Sequence, residues 1–314
     1  MKFEEQSQVP VGIVKRPRLG SCNSCGSLTR WYDAVKEVSV CGDECLEGKE
    51  QSNFRDHFEK YHTQMEEEMI LGRTECAASK DIIIVVHNQL SYIKNCIDSI
   101  RENTSNYRLY IWDNASDKET ADYLQSLVPE GAELVRSEVN LGFIDPNNEL
   151  AGWGRGEYIV LLNSDCVVLP HWTDAMVGFL KTHPEVAEVG CVGGLLEENG
   201  IGSGSGFGYD IDYLHGWCVV FGRQTYEKYG LFNKQLRFAY AEDSDFSLRL
   251  KEAGKKIYAF HLPLVQHFGS VTIKDVEREG VIDIHSSFRM NHEYMRLRWK
   301  DYLENERIHV KQKR

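Results

Sequence analysis

The sequence predicts an α/β protein built on a mostly parallel sheet flanked by helices, and three observations predict it. Short apolar runs such as Ile82–Val86 stop abruptly on polar residues, as strands buried on both faces do. Stretches with helical spacing follow them, with Ile93, Cys96, Ile97 and Ile100 at i, i+3, i+4 and i+7. The two patterns then alternate from residue 80 onward at the rate that right-handed βαβ units require.

The elements can be taken in order. "DIIIVV" reads as the first strand, and "SYIKNCIDSIREN" as a helix with Ser91 as its cap. "RLYIWDNAS" is a second strand, "DKETADYLQSL" a second helix and "AELVRS" a third short strand. "NLGFIDPNNELAGWG" turns into a further helix, and "YIVLLNSD" is the fourth strand. The strands end on His87 and Asn88, on Asp113 and Asn114, and on Asn163 to Asp165. One such cluster is an ordinary turn, since Asn, Ser and Asp favour turns. Three at the carboxyl ends of parallel strands mark a ligand-binding edge. No Gly-x-Gly-x-x-Gly follows the first strand, which argues against a dinucleotide fold. The Gly/Ser-dense stretch at 200–208 reads as a mobile lid or a plain flexible loop. "SSFRMNHEYMRLRWKDYLENERI" reads as a long terminal helix, packed on the main domain or used for self-association.

The chain of 314 residues is longer than one ordinary domain requires. Its expected divisions are an arm with a small module at 1–50, a linker helix at 51–79, the main domain at 80–275 and a helical extension at 276–314. Four of the nine cysteines are grouped, Cys22 and Cys25 as one close pair and Cys41 and Cys45 as another. Such pairs bring four thiolates to the corners of a tetrahedron, so the expected ligand is one structural Zn²⁺. About thirty residues bury little core, and the metal would supply the missing folding energy. The net charge of −12 argues against a general nucleic-acid footprint. No apolar run approaches the roughly 20 residues that cross a bilayer, and the odd cysteine count suits a reducing, cytoplasmic setting.

Several segments in order and spacing resemble the inverting glycosyltransferases of family two, over about residues 80–270. They are "VVHNQLSYIKNCIDSI", "YIWDNASDKET", "NLGF", "LLNSD", "GLFNKQLRFAYAEDSDFSLRLKEAGKKIYAF" and "VQHFGS". The resemblance implies a GT-A fold, a nucleotide-sugar donor and a divalent cation, Mn²⁺ or Mg²⁺. Asp165 matches the last acid of the family's Asp-x-Asp motif, with Asn163 in place of the first. His267 matches a further metal contact, and an imidazole suits Mn²⁺ better than Mg²⁺. Asp113 matches the residue that hydrogen-bonds the base, which fits UDP or dTDP, and an Asx-turn there is compatible with that role. His87 and Asn88 are expected to flank the same pocket. Asp243 matches the general base, with Glu242 supporting it or shaping acceptor binding. Asp245 and Arg249 read as a local ion pair on the following helix. Gly216 and Trp217 match the acceptor side, and a tryptophan there is equally compatible with a core role. Glycan, glycolipid, protein and modified-nucleobase acceptors all remain open. Two other readings stand beside this one: a binding protein that has lost activity, and a nucleotidyltransferase, which the missing phosphate-cradling Gly-rich loop disfavours.

The cysteine spacing carries its own test. Elemental analysis of protein purified without chelator is expected to give one zinc per chain. Cys22→Ser should lose the metal and unfold the front module while sparing residues 80–270; metal-free protein would refute the assignment.

Overall fold

A computed structural model describes residues 13–21, 28–33, 38–40, 63–72, 77–269, 276, 280 and 283–308. Cys22, Cys25, Cys41 and Cys45 lie outside the described residues, and so does the zinc expected on them. At the front, β1 (Ile13–Ser21), β2 (Leu28–Asp33) and β3 (Val38–Val40) form an antiparallel sheet in that order.

The main body is a seven-stranded sheet. Its strands are β4 (Lys80–Val86), β5 (Tyr107–Asn114), β6 (Glu133–Ser137), β7 (Tyr158–Leu162), β9 (Val186–Gly190), β13 (Cys218–Gly222) and β14 (Lys256–Ala259). The order across the sheet is β14-β9-β13-β7-β4-β5-β6, and β13 runs antiparallel to both its neighbours while the other pairings are parallel. The predicted α/β architecture is therefore observed.

The alternation of side chains along β4 explains why the sheet has two covered faces. Ile82, Ile84 and Val86 face a layer that contains α2 (Leu90–Asn103) and α5 (Trp172–Thr182). Ile83 faces the opposite layer, with Leu150 of α4 (Ile144–Trp153) and Phe246 and Leu250 of α7 (Glu242–Glu252). Burying each large aliphatic side chain contributes roughly 1.5–3 kcal/mol, so a strand apolar on both faces is stable only in this central layer. α3 (Lys118–Ser126) begins at Asp117, whose carboxylate accepts the Thr120 N–H at 2.8 Å. Ser91 does not cap α2: the cap position is Gln89, in the left-handed region at φ 61°, and Ser91 sits inside the first turn.

Residues 63–72 form a helix, α1, that packs on the body rather than only spanning to it. Met65 joins the core, and the buried Glu68 accepts hydrogen bonds from Tyr258 Oη, His261 N and Leu262 N at 2.8–3.0 Å. The Gly/Ser stretch is neither lid nor free loop. It forms β11 (Gly202–Gly206), paired antiparallel with β10 (Gly193–Leu196), which in turn pairs with β12 (Tyr213–Leu214). Two of its glycines answer a packing demand: a Cβ on Gly202 would lie 2.0 Å from the Tyr213 side chain, and one on Gly206 2.7 Å from the Ile211 side chain. The carboxyl-terminal helices α8 (Ile284–Arg298) and α9 (Lys300–Asn305) pack through Met295, Trp299 and Leu303 onto Leu196, Tyr213, Ala241 and Leu248. Among the described residues no helix is long and apolar enough to cross a membrane.

Two buried carboxyls in this frame hold protons well above their usual range. Burial pushes Glu188 of β9 up to about 8 and Glu68 up to about 7, against an ordinary value of 4.5. The folded chain therefore binds more protons than the unfolded chain between pH 4.5 and about 8, and stability falls as pH rises through that window. Thermal unfolding followed from pH 6 to pH 9 is expected to show a falling Tm. Glu188→Gln keeps an acceptor for Ser247 Oγ, 2.8 Å away, and should flatten the slope; a Tm that rises over this range would contradict it.

Candidate active site

The parallel register decides where the polar strand ends emerge. Val86 of β4 lies opposite Asp113 of β5, and β7 pairs with β4 on its other side. The residues that follow these strands come out along one edge, and there they line a cleft of about 250 Å³. His87, Asn114, Asn163, Ser164 and Asp165 form its floor. His215, Gly216 and Trp217 precede β13, Phe238 to Tyr240 precede α7, and Glu242, Asp243 and His267 complete the walls.

At one side Asp165 is buried, and its Oδ1 lies 3.2 Å from His267 Nε2 at the end of β15 (Val265–His267). The short β15 pairs with β8 (Cys166–Val168), and the register His267↔Cys166 fixes that separation. The two atoms are close, yet the buried His267 Nε2 makes no hydrogen bond. At this separation the two groups form an ion pair when His267 is protonated, and with a neutral imidazole they can serve together as donors to a cation. Oxygen with imidazole nitrogen fits Mn²⁺, and Cys166 Sγ lies within 4.8 Å of both. That thiol is pushed far above its ordinary range by burial, then by the Asp165 charge, so it is a neutral neighbour rather than a thiolate ligand. The Trp217 ring stacks on His267 at 4.8 Å and 14°, which holds the imidazole plane. Trp217 therefore lines the cleft, half-buried, while its backbone oxygen accepts the Asn163 N–H at 2.8 Å.

In the same cleft, Asp243 is held from two sides. Its Oδ2 accepts the Gly216 N–H at 3.1 Å and its Oδ1 the Ser244 N–H at 2.7 Å. Gly216 allows this approach, since a Cβ there would already touch Asp243 Cβ at 3.2 Å. Glu242 is buried, its Oε2 makes no hydrogen bond, and its carboxyl is pushed up to about 8 by burial and then by the Asp243 charge.

His87 lines the cleft with Nδ1 2.9 Å from the Asn114 carbonyl. Asn88 is turned aside: its Oδ1 accepts the Asp117 N–H at 2.7 Å, which ties β4 to the start of α3. Asp113 is buried behind the wall rather than on it. One oxygen accepts the Ser116 N–H at 2.9 Å, the expected turn bond, and the other is ion-paired with Arg136. Asp245 pairs with Arg249 at 2.9 Å, but the pair is not on the surface: Asp245 is fully buried and also accepts from Trp299 Nε1 at 3.0 Å.

Two residues of the site escaped the sequence reading, and a third was seen only in part. His215 has a buried Nε2 without a hydrogen bond, and burial lowers its basicity so that the neutral ring is favoured. Arg136 carried no motif signal. Asn114 was visible only as a polar strand end, yet its Nδ2 donates to Asn140 Oδ1 and the Gly142 carbonyl and its Oδ1 accepts the Leu141 N–H. That fixes the loop "NLGF". Gly142, at φ 82°, is obligatory there because a Cβ would lie 2.5 Å from the Phe238 carbonyl.

Comparison with known proteins bears on the family and the fold. The family model described as Glycosyl transferase family 2 matches residues 81–238. The "Uncharacterized protein y4gI" of Sinorhizobium fredii is 24% identical over 259 residues, 70% of this chain and 27% of that one. An "Uncharacterized glycosyltransferase" of Haemophilus influenzae is 24% identical over 112 residues, 35% of each chain. The chain thus spans about a quarter to a third of the length of these curated relatives. Among solved structures, GalNAc-T7 with UDP, GalNAc and Mn²⁺ superposes with a TM-score of 0.54 at 14% identity, covering 85% of this chain and 61% of that one. A likeness at that identity shows a shared fold.

A cation on the Asp165–His267 pair needs both donors. Titrating the protein with Mn²⁺ and following the free-ion EPR signal is expected to show binding. Asp165→Ala and His267→Ala should each weaken it by at least ~10-fold, the loss that outer-shell changes alone already cause. Equal Mn²⁺ affinity in all three proteins would remove the pair from the metal site.

Proposed function

The chain belongs to glycosyl transferase family 2, and on that premise we propose that it is a metal-dependent inverting glycosyltransferase of GT-A fold. It moves a sugar from a nucleotide-diphosphate donor, UDP or dTDP favoured, to an acceptor hydroxyl. The observation that carries this reading is one cleft lined both by the Asp165–His267 pair and by a separately held carboxylate, Asp243.

Each residue has a role that its surroundings support. Asp165 and His267 hold Mn²⁺ or Mg²⁺, which when bound neutralises the charge that builds on the departing diphosphate. Asn163, with no charge of its own, adds an amide beside them. Asp113, 1% exposed, holds the half-exposed Arg136 guanidinium by an ion pair. The guanidinium donors backed by that carboxylate suit the carbonyls of uracil or thymine. His87 borders the same nucleotide side, and Asn88 supports it from behind.

Asp243 takes the proton from the acceptor hydroxyl as that oxygen attacks the anomeric carbon. The Gly216 and Ser244 N–H groups hold its carboxylate in place and leave lone pairs for the incoming hydroxyl. Glu242 keeps its proton at neutral pH and serves as a neutral hydrogen-bonding group beside the base. The Trp217 face borders the acceptor side, where an aromatic plane suits the C–H face of a sugar. The paired cysteines hold a structural zinc, a reading that the spacing alone supports.

A donor panel assayed for nucleotide release with Mn²⁺ present, across acceptor classes, tests the activity. Asp243→Asn should keep nucleotide affinity and lose turnover by roughly 10²–10⁴-fold, the range for a positioned base. The linkage formed from an α-linked donor should be β by NMR. Retained anomeric configuration, or a kcat that hardly moves in Asp243→Asn, would overturn the assignment.

A further inference from the structure

The loop at 237–241 forms the wall of the cleft that leads directly into Glu242 and Asp243, and its backbone is strained. Phe238, Tyr240 and Ala241 all have positive φ, at 60°, 78° and 67°, without a glycine among them. The Ala239 N–H bonds the Arg237 carbonyl two residues back at 2.8 Å, a tight turn around Phe238. Residues in such conformations cost on the order of 1–3 kcal/mol each and persist only where their surroundings over-determine them.

The surroundings supply that from two directions. From the donor side, the Phe143 N–H bonds the Phe238 carbonyl at 2.7 Å. From the other side comes Asn291 on α8, in the carboxyl-terminal extension and outside the matched family region. Asn291 is 1% exposed, and its side chain is committed entirely to this loop. Its Oδ1 accepts the Arg237 N–H at 2.9 Å, while its Nδ2 faces the carbonyls of Arg237, Ala239 and Tyr240, each at 2.9 Å. Only this orientation of the amide works, because the flipped one would turn an oxygen toward three carbonyls. The Phe288 ring, one helical turn earlier, packs edge-on against Tyr240 at 5.3 Å. Trp299 on the same extension bonds Asp245, inside the helix that the loop enters.

We infer that Asn291 is a positioning residue for the transfer reaction: it holds the 237–241 loop in its strained form and thereby sets where Glu242 and Asp243 meet the acceptor. The carboxyl-terminal extension is then a working part of the site and not an accessory to it. The inference rests on the transferase reading above for its kinetic consequence, but the clamp itself does not.

Asn291→Ala in the full chain removes the Oδ1 bond and all three Nδ2–carbonyl contacts. Displacing a reacting group by about 1 Å costs roughly 10²-fold, so turnover should fall by about 10–10²-fold. The affinity for UDP with Mn²⁺ should stay within about twofold, since the nucleotide side is built from β4, β5 and β7. Arg307→Ala serves as the comparison: it loosens the same extension through its bonds to the Leu196 carbonyl and Glu198, away from the loop. It should lower Tm at least as much as Asn291→Ala while keeping kcat. Unchanged kcat in Asn291→Ala, or an equal kcat loss in Arg307→Ala, would overturn the inference. Hydrogen exchange in the unaltered protein gives a second reading if the variant fails to fold. The Arg237 amide should be protected like the interior amides of α8, and exchange at the rate of an open loop would refute the clamp. A wild-type protein inactive with every donor would sink the transferase reading, while the exchange measurement would still decide the clamp.

Discussion

Everything at the cleft depends on one constraint: parallel strands in register end at the same level. β4, β5 and β7 are pinned to each other residue by residue, so the polar residues that follow cannot avoid one another. Their interiors are apolar on both faces and leave no room for charge. Their carboxyl ends face an open edge, where polar groups stay solvated or meet a ligand. Asp165 and Asn114 are brought together by that geometry, although they are separated by some fifty positions of chain. The antiparallel β13 adds the third component, because it carries Gly216 and Trp217 in at its start rather than its end.

The two edges of the sheet show how the same residue type is treated according to where it falls. Asp81, at the amino end of β4, is as buried as Asp165, but it is neutralised inside the protein. Arg223 lies 2.5 Å from its Oδ2 and the Gly156 N–H 2.6 Å away, and Gly154 and Gly156 lack side chains because a Cβ at either would strike the Asp81 carboxylate. Breaking such a buried pair costs roughly 3–5 kcal/mol, which makes it a structural fixture. Asp165 faces the His267 imidazole at 3.2 Å, which pairs with it ionically only when protonated. A carboxylate with its charge satisfied holds a fold together, and one beside a neutral imidazole at the rim of an open cleft can take a cation.

That distinction explains what was legible in the sequence. The strands and helices from 80 to 162 followed from apolar runs and helical spacing, and the site edge from polar strand ends, because both signals are local; the short β8 that follows was not read. Asn88 and Asp113 sit at those ends, yet their side chains turn to Asp117, Ser116 and Arg136; strand position fixes depth in the sheet but not the direction of a short polar side chain. Gly202 and Gly206 of β11 look like a flexible loop until Tyr213 and Ile211 are seen lying across them. Asp245 and Arg249 read as a surface pair because the i, i+4 rule does not tell which face of α7 the terminal helices will cover. Asn291 had no signal at all, since its meaning lies in carbonyls about fifty residues away.

The same logic bears on the two adjacent acids at the start of α7. A helix N-terminus favours negative charge, and three acids crowd the first turn there: Glu242, Asp243 and Asp245. They are not equivalent. Asp245 is balanced by Arg249 and Trp299, and Asp243 accepts two backbone N–H bonds at the cleft wall. Glu242 has no such compensation on its Oε2, so burial beside the Asp243 charge keeps it protonated to about pH 8. One wall of the cleft therefore presents a charged acceptor of protons next to a neutral hydroxyl-like donor. An incoming sugar hydroxyl meets groups with opposite hydrogen-bonding character, and the strained loop held by Asn291 fixes the distance between them and the donor side.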